Sequence, residues 1–431
     1  MSATLKTHLH IGLDDTDSRS GMCTTYVAAL VLERLTAMGA VPLDYPHLVR
    51  LNPNCPYKTR GNAAVSIQVG LAGDILEEAK GTVLKTVETN YERGYGDTQP
   101  GVAFLASREV PSRIVEFGLR AVREMVEVGE AWDVAEETGV ELYGINGGRG
   151  VVGALASIGC PLYPHTYEAI AYRTRENWGT VRRVDRDSVH MLQRCGISFD
   201  SLDLETGEIR VTPHTPCPVL AGVRALSAEN ALKGLGMLKF LEDIALVLVF
   251  KTNQATDMHI TPAKISQLKP YSNGVVTATI SGPAWTIRGG HTFIAVRDET
   301  GELICAAYRP TGRLRTVLRG LRVGDVVRVA GGVKPKEQGL TLNLEKLEVL
   351  ALAESYLVRP PKCGDCGGSM KSRGRGRGYR CKRCGRWVPS SMALRVPEER
   401  TVELGGYEVA TSARRHLSKP LELEMLAGEG L

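Results

Sequence analysis

Alternating apolar positions near the start of the chain predict a half-buried strand. Leu9, Ile11 and Leu13 alternate with polar or small residues and lead into an acidic run, Asp14-Asp15-Thr16-Asp17. Apolar residues then recur at helical spacing, and Gly39 fits a C-terminal stop. The helical positions are Val27, Leu30, Val31, Leu35 and Met38. The pattern predicts a strand, an acidic loop and a helix, opening an α/β domain over residues 1–137.

The next segments continue a mixed pattern. Val65, Ile67 and Val69 predict another strand, and residues 74–92 and 111–137 predict helices. Further on, Glu168–Tyr172 and Ala245–Lys251 predict short strands, with a helix from Ser227 to about Phe240. This mixture favours a two-layer α+β domain over residues 138–262.

From about residue 271 the pattern changes to short strands separated by turn residues. A helix, about Gly312–Leu321, lies between the third strand and the fourth. Five strands with a helix in this place are typical of an OB-fold, a barrel that often binds single-stranded nucleic acid, here over residues 270–352. The predicted strands are Val275–Ile280, Thr292–Val296, Leu303–Tyr308, Val326–Ala330 and Leu342–Val349.

Two Cys-x-x-Cys pairs follow, over residues 353–390, and a tail over residues 391–431 completes the chain. Each pair can supply two thiolates from a tight turn, so together they predict a closed, structural four-thiolate zinc site. The predicted ligands are Cys363, Cys366, Cys381 and Cys384.

The loop between the cysteine pairs is strongly basic, and no acidic residue occurs from Lys371 to Arg386. Contact with nucleic-acid phosphates is the predicted use, and a solvated basic loop is the alternative. The arginines concerned include Arg373, Arg375, Arg377 and Arg380.

Composition and charge narrow the class of protein only a little. The 431 residues are 43% hydrophobic, enough for several cores, and the net charge of +5 says little about partners. No apolar run reaches about 18 residues, which predicts no membrane-spanning helix. The opening residues lack a signal-peptide pattern and the six other cysteines are scattered, so we expect a cytoplasmic protein without a disulfide framework.

The acidic run is the first candidate for chemistry. Asp14, Asp15 and Asp17 follow a strand, where carboxylates can hold Mg²⁺ and through it a triphosphate; an acidic turn that caps the next helix is the alternative. Thr24 lies near the predicted helix start, where N–H groups favour anions, although it can also be a simple cap.

Two further loops are candidates for phosphate contact. Lys58, Arg60 and Asn62 occur together, and a solvated turn is the alternative. Gly148–Gly153 matches GxGxxG, with Arg149 and Gly150 inside it, but no clear strand precedes it, so a Rossmann site is rejected and a phosphate-approaching loop remains open.

Four residues are weaker candidates for substrate binding. Cys217 lies between two prolines and Arg224 follows shortly after; a structural corner is the alternative. Asp257 and His259 lie in a polar run after a strand, where acid–base work and a plain loop are equally compatible with the pattern.

Several motifs in order resemble the archaeal tRNA(Ile) 2-agmatinylcytidine synthetase family over essentially the whole chain. They start with Gly12-Leu13-Asp14-Asp15-Thr16-Asp17-Ser18 and Gly21-Met22-Cys23-Thr24-Thr25. The others are Arg50-Leu51-Asn52-Pro53, Pro56 to Asn62, Thr215 to Leu220, Ala255 to His259, and Ser412-Ala413-Arg414-Arg415-His416 to Pro420. Gln99 departs from the resemblance, since an asparagine is expected there.

The resemblance implies a kinase-like domain, a ferredoxin-like domain, an OB-fold and a zinc ribbon. It implies an ATP-dependent ligase, converting ATP to AMP, that attaches agmatine to C2 of the wobble cytidine of an isoleucine tRNA with a CAU anticodon, which changes codon reading from AUG to AUA. Asp14, Asp15 and Asp17 are then associated with Mg²⁺ and ATP, and Thr24 with a phosphorylated residue. In that setting Arg414 and Arg415 are expected tRNA contacts beside the basic loop. The alternative is a non-catalytic protein whose OB-fold and zinc ribbon bind single-stranded RNA or DNA.

Overall fold

The N-terminal half of the chain forms one mixed nine-stranded sheet with helices on both faces. The protein is represented by a computed structural model, which describes residues 5–427. Its elements are β1 (Leu5–Asp14), α1 (Thr24–Ala37), β2 (Val41–Pro42), β3 (His47–Arg50), β4 (Ala63–Ala72), α2 (Leu76–Asn90), β5 (Gly101–Ala106), α3 (Ser112–Arg123), α4 (Val128–Thr138), β6 (Glu141–Gly144), α5 (Val151–Gly159), β7 (Thr166–Arg173), α6 (Arg186–Cys195), β8 (Val219–Ala225), α7 (Ala228–Met237) and β9 (Ile244–Thr252).

The strand order is β6-β5-β1-β4-β3-β9-β7-β8, and β2 pairs with β4. The pairs are antiparallel except for a short parallel contact between β3 and β9, which joins the two predicted domains into a single sheet. Helices α1 and α2 cover one face of the first part, α3 to α5 cover the other, and α6 and α7 pack on β7 to β9. The elements after residue 138 thus begin by completing the first sheet, since β6 pairs with β5 and α5 packs on β1.

Strand β1 is buried on both faces, whereas the alternation predicted a half-buried strand. Leu9, Ile11 and Leu13 are fully buried towards α1 and α2. On the other face His10 is only 6% exposed. Gly12 lies so close to α5 that an added Cβ would come 2.0 Å from the carbonyl oxygen of Ala154. Gly12, which contributed to the alternating pattern, therefore lies against α5 and not against solvent.

The C-terminal half contains the predicted barrel. Its elements are β10 (Thr261–Pro262), β11 (Asn273–Ile280), β12 (Trp285–Thr286), β13 (Thr292–Asp298), β14 (Gly301–Ala307), α8 (Leu314–Gly320), β15 (Val326–Lys336), β16 (Gly339–Ala351), β17 (Tyr356–Arg359), β18 (Met370–Ser372), β19 (Tyr379–Cys381), β20 (Trp387–Val388), β21 (Leu394–Pro397), β22 (Gly405–Glu408) and α9 (Leu421–Ala427). Strands β11, β15, β16, β14 and β13 follow one another, and β11 also pairs with β13, which closes the barrel. The five predicted strands and the helix α8 are confirmed.

The cysteine module, β18 to β20, is joined to the barrel through the two-stranded ribbon β17–β21. All four residues of β17 are exposed. After this excursion the chain returns to the barrel, where β22 pairs with β16. Short 3-10 helices occur at Arg175–Asn177, Ile265–Gln267, Arg309–Thr311, Ser390–Met392 and Thr411–Ala413.

An amide network joins the barrel to the N-terminal domain. Asn54 donates to the backbone oxygen of Ser272 (2.9 Å) and to the Asn273 side chain (2.8 Å). Asn273 in turn donates to Asn52 Oδ1 (3.0 Å). All three side chains are buried away from water, so each hydrogen bond gives a buried polar group the partner that water cannot supply there. Part of the Arg50-Leu51-Asn52-Pro53 motif thus positions one domain against another.

Candidate active site

A cleft of about 480 Å³ lies where the first domain, β7 and β8, and the C-terminal tail meet. Its walls come from the end of β1, the starts of α1 and α5, the loop before β4, and the strands β7 and β8. The cleft collects eleven of the thirteen predicted catalytic, phosphate-binding and substrate-binding residues: Asp14, Asp15, Asp17, Thr24, Lys58, Arg60, Asn62, Arg149, Gly150, Cys217 and Arg224.

Asp14 and Asp15 form the acidic end of the cleft. Burial, together with the neighbouring charge of Asp15, raises the pKa of Asp14 well above its ordinary value. Burial also raises the pKa of Asp15. Asp15 accepts hydrogen bonds from the backbone N–H of Gln99 (2.9 Å) and the Thr59 hydroxyl (3.3 Å). Two crowded carboxylates with raised pKa values are a pair that a bound cation would stabilise in the charged form.

Two helix N-termini open on this end of the cleft. The N-cap residues Cys23 of α1 and Gly150 of α5 make no side-chain cap hydrogen bond, and neither helix has an acidic residue in its first turn. At the start of α1, the N–H groups of Thr24 and Thr25 are suited to anions such as phosphate. At the start of α5, the N–H groups of residues 150, 151 and 152 already donate to backbone oxygens. An added Cβ on Gly150 would lie 2.6 Å from the Gly101 nitrogen, so only glycine allows α5 to start so close to the sheet.

The GxGxxG segment does follow a strand, contrary to the sequence interpretation. The edge strand β6 ends at Gly144 and α5 begins at Val151. Because β6 is antiparallel to β5, the surroundings differ from the parallel sheet of a dinucleotide fold. The structure thus places Arg149 and Gly150 beside the carboxylates, with Arg149 4.0 Å from Asp15 and stacked on Tyr57.

Asp17 and Arg60 are engaged with each other. Arg60 forms an ion pair with Asp17 and donates to the Met22 carbonyl and the Thr215 hydroxyl (3.0 Å). Arg60 therefore ties the acidic loop to the Thr215–Leu220 segment. Its charge is already shared with a carboxylate, which distinguishes it from Lys58.

Lys58 lies in the same loop, and its surroundings shift its pKa towards neutral pH. Its ammonium group donates to the Pro53 carbonyl. Burial, with the nearby charges of Arg415 and Lys334, lowers its pKa to about 8. Asn62 donates to the Asn52 carbonyl (2.8 Å) and holds a left-handed backbone conformation with φ of 42°, which fixes the loop that carries Lys58.

Thr24 is the first residue of α1 and faces the cleft. Its hydroxyl lies 3.1 Å from that of Thr16, and the residue is 5% exposed. The hydroxyl is therefore held beside the acidic loop at the start of the helix.

The other end of the cleft is rich in cations. Arg224 lies 3.5 Å from Glu168, and Arg50 lies 3.9 Å from the same carboxylate. Burial lowers the pKa of Arg50 to about 10. Sequence patterns gave neither Arg50 nor Glu168 a role in the site, since each is one residue of an ordinary strand and only the sheet brings them together.

Arg182 shapes the wall that carries Cys217. Its guanidinium donates to the carbonyl oxygens of Pro213 (2.8 Å), Thr215 (2.8 Å), Cys217 (3.0 Å) and Val219 (2.7 Å). Cys217 itself is buried. The stiff proline-containing segment is thus held by one distant arginine.

Asp257 and His259 lie outside the cleft. His259 is fully buried, with Nε2 3.0 Å from Glu345, and Asp257 pairs with Lys346. Both contacts join the N-terminal half to the barrel, because Glu345 and Lys346 belong to β16. Their position gives no support to the predicted substrate contacts.

Arg414 and Arg415 are also packed between domains. Arg414 pairs with Asp200 and Glu408, and its side chain is only 6% exposed. Arg415 donates to the Pro53 carbonyl (2.8 Å) and lies 3.2 Å from Glu345. The burial of Arg414 argues against the tRNA contact expected for it, since its guanidinium is already held by two carboxylates.

The four ligand cysteines come together as predicted. Their sulfur atoms all lie within 4.8 Å of one another, and Cys363 and Cys384 are 3.5 Å apart. A tetrahedron with Zn–S bonds of about 2.3 Å has edges of roughly 3.8 Å, so the cluster fits zinc. The arginines 373, 375, 377 and 380 are all exposed on the adjoining hairpin.

Across residues 5–427 we find no helix with both the length and the apolar character needed to cross a membrane.

Four family models match the chain in the order of its domains. The TiaS TCKD domain matches residues 10–76, the TiaS FLD domain residues 148–259, the OB-fold nucleic acid binding domain residues 274–350 and the TiaS C-terminal zinc ribbon domain residues 360–402.

Relatives and solved structures match almost the whole chain. The 2-agmatinylcytidine synthetase TiaS of Pyrococcus horikoshii, an enzyme of isoleucine tRNA, is 46% identical over 418 residues, which cover 96% of this chain and 97% of the relative. A complex of TiaS with its isoleucine tRNA and ATP superposes with a TM-score of 0.88 at 37% identity, covering 97% of both chains. A complex of TiaS with the same tRNA, AMPCPP and agmatine gives a TM-score of 0.85 at 34% identity, again over 97% of both chains. The chain therefore belongs to the tRNA(Ile) 2-agmatinylcytidine synthetase family, TiaS.

Proposed function

We propose that this chain joins agmatine to C2 of the wobble cytidine of an isoleucine tRNA with a CAU anticodon, using ATP, and so changes codon reading from AUG to AUA. The observation that carries the proposal is the cleft in which the Asp14–Asp15 pair meets the uncapped N-terminus of α1 and the cations Lys58 and Arg149. Such a site suits a nucleoside triphosphate. The relatives with tRNA, ATP and agmatine bound make the alternative of a non-catalytic binder unfavoured.

The chemistry requires that the C2 oxygen become a leaving group. Transfer of the γ-phosphoryl group of ATP to that oxygen makes one, which the amine of agmatine then displaces as inorganic phosphate. Because this transfer leaves ADP, AMP forms only when a second phosphoryl group leaves the nucleotide, and we propose the Thr24 hydroxyl as its acceptor. Lys58, Arg149 and the N–H groups at the start of α1 are placed to hold phosphate oxygens during the transfer. Arg60 keeps the acidic loop in position through Asp17.

The acidic pair fits a divalent cation. Asp14 and Asp15 are crowded carboxylates with raised pKa values, and the nearest cation to Asp15 among the described ion pairs is Arg149 at 4.0 Å. We assign Mg²⁺ to this pair, where it would offset the negative charge of the triphosphate. Asp17 has its charge met by Arg60 and serves the loop instead.

Thr24 is the residue we propose for phosphorylation. It lies at the start of α1 in the same cleft, where a phosphate would meet helix N–H groups. Its hydroxyl oxygen accepts a hydrogen bond from the Thr16 hydroxyl (3.1 Å), which leaves its own hydrogen available.

We assign tRNA binding to the zinc ribbon and the OB-fold. The exposed arginines 373, 375, 377 and 380 suit phosphate contact, and the cytidine must leave the anticodon stack to enter the cleft. Zinc would act as a structural ion held by the four cysteines. Substrates of this kind place the enzyme in the cytoplasm.

The test is a product assay with purified protein. An isoleucine tRNA with a CAU anticodon is incubated with ATP and agmatine, digested to nucleosides and measured by mass spectrometry. We expect a new cytidine derivative only when both small molecules are present, together with AMP release. Absence of that product, or its formation without ATP, would overturn the proposal.

A matched pair of variants separates catalysis from binding. Asp14→Asn combined with Asp15→Asn removes the cleft carboxylates, whereas Asp74→Asn changes an exposed aspartate elsewhere. We expect the first protein to bind tRNA normally and form no product, and the second to behave like the wild type. A non-catalytic binder would instead form no product in any of the three proteins.

A further inference from the structure

His416 reaches the cleft from the far end of the chain. It lines the cleft beside Gly61, where an added Cβ would lie 3.6 Å from its Cδ2 and Nε2 atoms. Across residues 5–427, no side chain or backbone group forms a hydrogen bond with its ring. The ring therefore has free nitrogens at the wall of the site.

The tail that carries His416 is fixed on both sides. The His416 carbonyl accepts from Ala255 N (2.8 Å), and the Leu417 carbonyl accepts from Thr256 N (3.1 Å) and Asp257 N (2.9 Å). Arg414 and Arg415 add the ion pairs described above. A backbone held this firmly fixes the point from which the His416 ring enters the cleft, and a defined position is what acid–base catalysis requires.

The surroundings of His416 keep its ring uncharged. Burial, and then the charges of Arg50, Arg224, Arg210 and Lys58, lower its pKa well below the ordinary value. The carboxylates beside these cations are already paired with them: Glu168 with Arg50 and Arg224, Asp200 with Arg224, and Glu208 with Arg210. A phosphorylated cytidine in the cleft would bring negative charge towards these cations and make a proton on His416 easier to hold.

Apart from the exposed Glu127, the other carboxylates and the other histidine that line the cleft are engaged or already assigned a role. Glu168 accepts from Gln254 and faces two arginines, Asp17 pairs with Arg60, and Glu124 pairs with Arg120. Asp14 and Asp15 are assigned above to the cation. His214 is largely exposed and pairs with Glu208.

We propose that His416 is a catalytic residue that accepts the proton of the agmatine amine as this amine attacks C2 of the phosphorylated cytidine. The C2–N bond forms while the C2–O bond breaks, and the electron pair of that bond leaves with the phosphate. The proton passes from the amine nitrogen to His416 and then to the departing phosphate. This inference rests on the proposed function, because it concerns the second half of the same reaction.

The experiment follows both halves of the reaction in single turnover. ATP labelled in its γ-phosphate reports transfer to the tRNA, and labelled agmatine reports conjugation. For His416→Ala we expect phosphoryl transfer near the wild-type rate, conjugation slowed about 100-fold, and labelled phospho-tRNA accumulating, since a positioned base contributes roughly 10²–10⁴-fold. Added imidazole should restore part of the conjugation rate, and His416→Asn should resemble the alanine variant.

A purely structural His416 would give a different pattern. Arg414→Ala loosens the same tail without changing the ring, so it shows what a packing defect does. If His416→Ala matched it, with both steps slowed together, a lowered Tm and no effect of imidazole, the inference would be overturned. Wild-type conjugation in His416→Asn would overturn it too. Failure of the wild-type protein to form any product would count against the proposed function instead.

Discussion

Gly153→Ala is a one-methyl change that tests the geometry of the acidic end. Gly153 lies in the first turns of α5, and an added Cβ would come 1.9 Å from Oδ2 of Asp14. Ordinary van der Waals contact begins at 3.4 Å, so the carboxylate would have to move by more than an ångström or α5 would have to retreat. A retreat would lose the close packing of α5 on the sheet, because Gly12 and Gly101 allow β1 and β5 to contact the backbone of α5.

The expected result follows from this geometry. A misplacement of about 1 Å in a catalytic group costs on the order of 100-fold in rate, and overpacking a core costs about 1–3 kcal/mol of stability. We expect Gly153→Ala to lower the rate of product formation about 100-fold and to weaken ATP binding. Binding of tRNA through the distant zinc ribbon should change little.

The measurement pairs the product assay with ATP titration and thermal unfolding. Gly81→Ala is the matched control, since Gly81 is inside α2 and nothing lies within 4 Å of an added Cβ. That change should raise stability by about 1 kcal/mol, because alanine is the better helix former, and leave activity unaltered. Wild-type activity in Gly153→Ala would refute the placement of Asp14 against α5 as a requirement for catalysis.

Three further outcomes are expected. Because the Lys58 pKa is about 8, its positive charge is lost as pH rises through that value, so ATP affinity should fall above pH 8. The Lys58→Arg variant should keep an affinity that does not depend on pH in this range. Equal pH profiles for the two proteins would contradict a phosphate contact of Lys58. Cys363→Ser should abolish stoichiometric zinc binding, measured by metal analysis, and weaken tRNA binding at least tenfold, measured by filter binding. Cys195→Ser replaces an exposed cysteine outside the cluster and should change neither property. Arg375→Ala should reduce the slope of log affinity against log salt by about one, and an unchanged slope would place that arginine off the RNA.

The sequence allowed the local features to be predicted, because each depends on short-range spacing. The five barrel strands, the helix after the third and the cysteine pairs were all visible as periodicity or as motifs. The same holds for the acidic loop between β1 and α1. These predictions needed no knowledge of which segments meet in space.

The features that could not be predicted from the sequence depend on contacts between distant segments of the chain. The burial of Gly12 against α5 could not be predicted, since the helix that covers it starts far along the chain. Arg414 looked like a nucleic-acid contact because of its charge, and only the folded chain shows Asp200 and Glu408 beside it. Arg182 and His416 enter the site from distant segments, and no spacing in the sequence indicates that either one reaches the cleft.

The two-stranded ribbon β17–β21 makes the zinc module an insertion rather than a terminal domain. Tyr356 and Pro397 are register partners, so the chain leaves and re-enters at one point. An internal excision of the residues between them could be closed by a short turn and would spare β22 and the tail. Truncation at the same point would remove His416 from the cleft and the ion pairs of Arg414 from the contact between domains. Removal of zinc with a chelator should accordingly unfold the zinc module alone and leave the N-terminal sheet and the barrel folded.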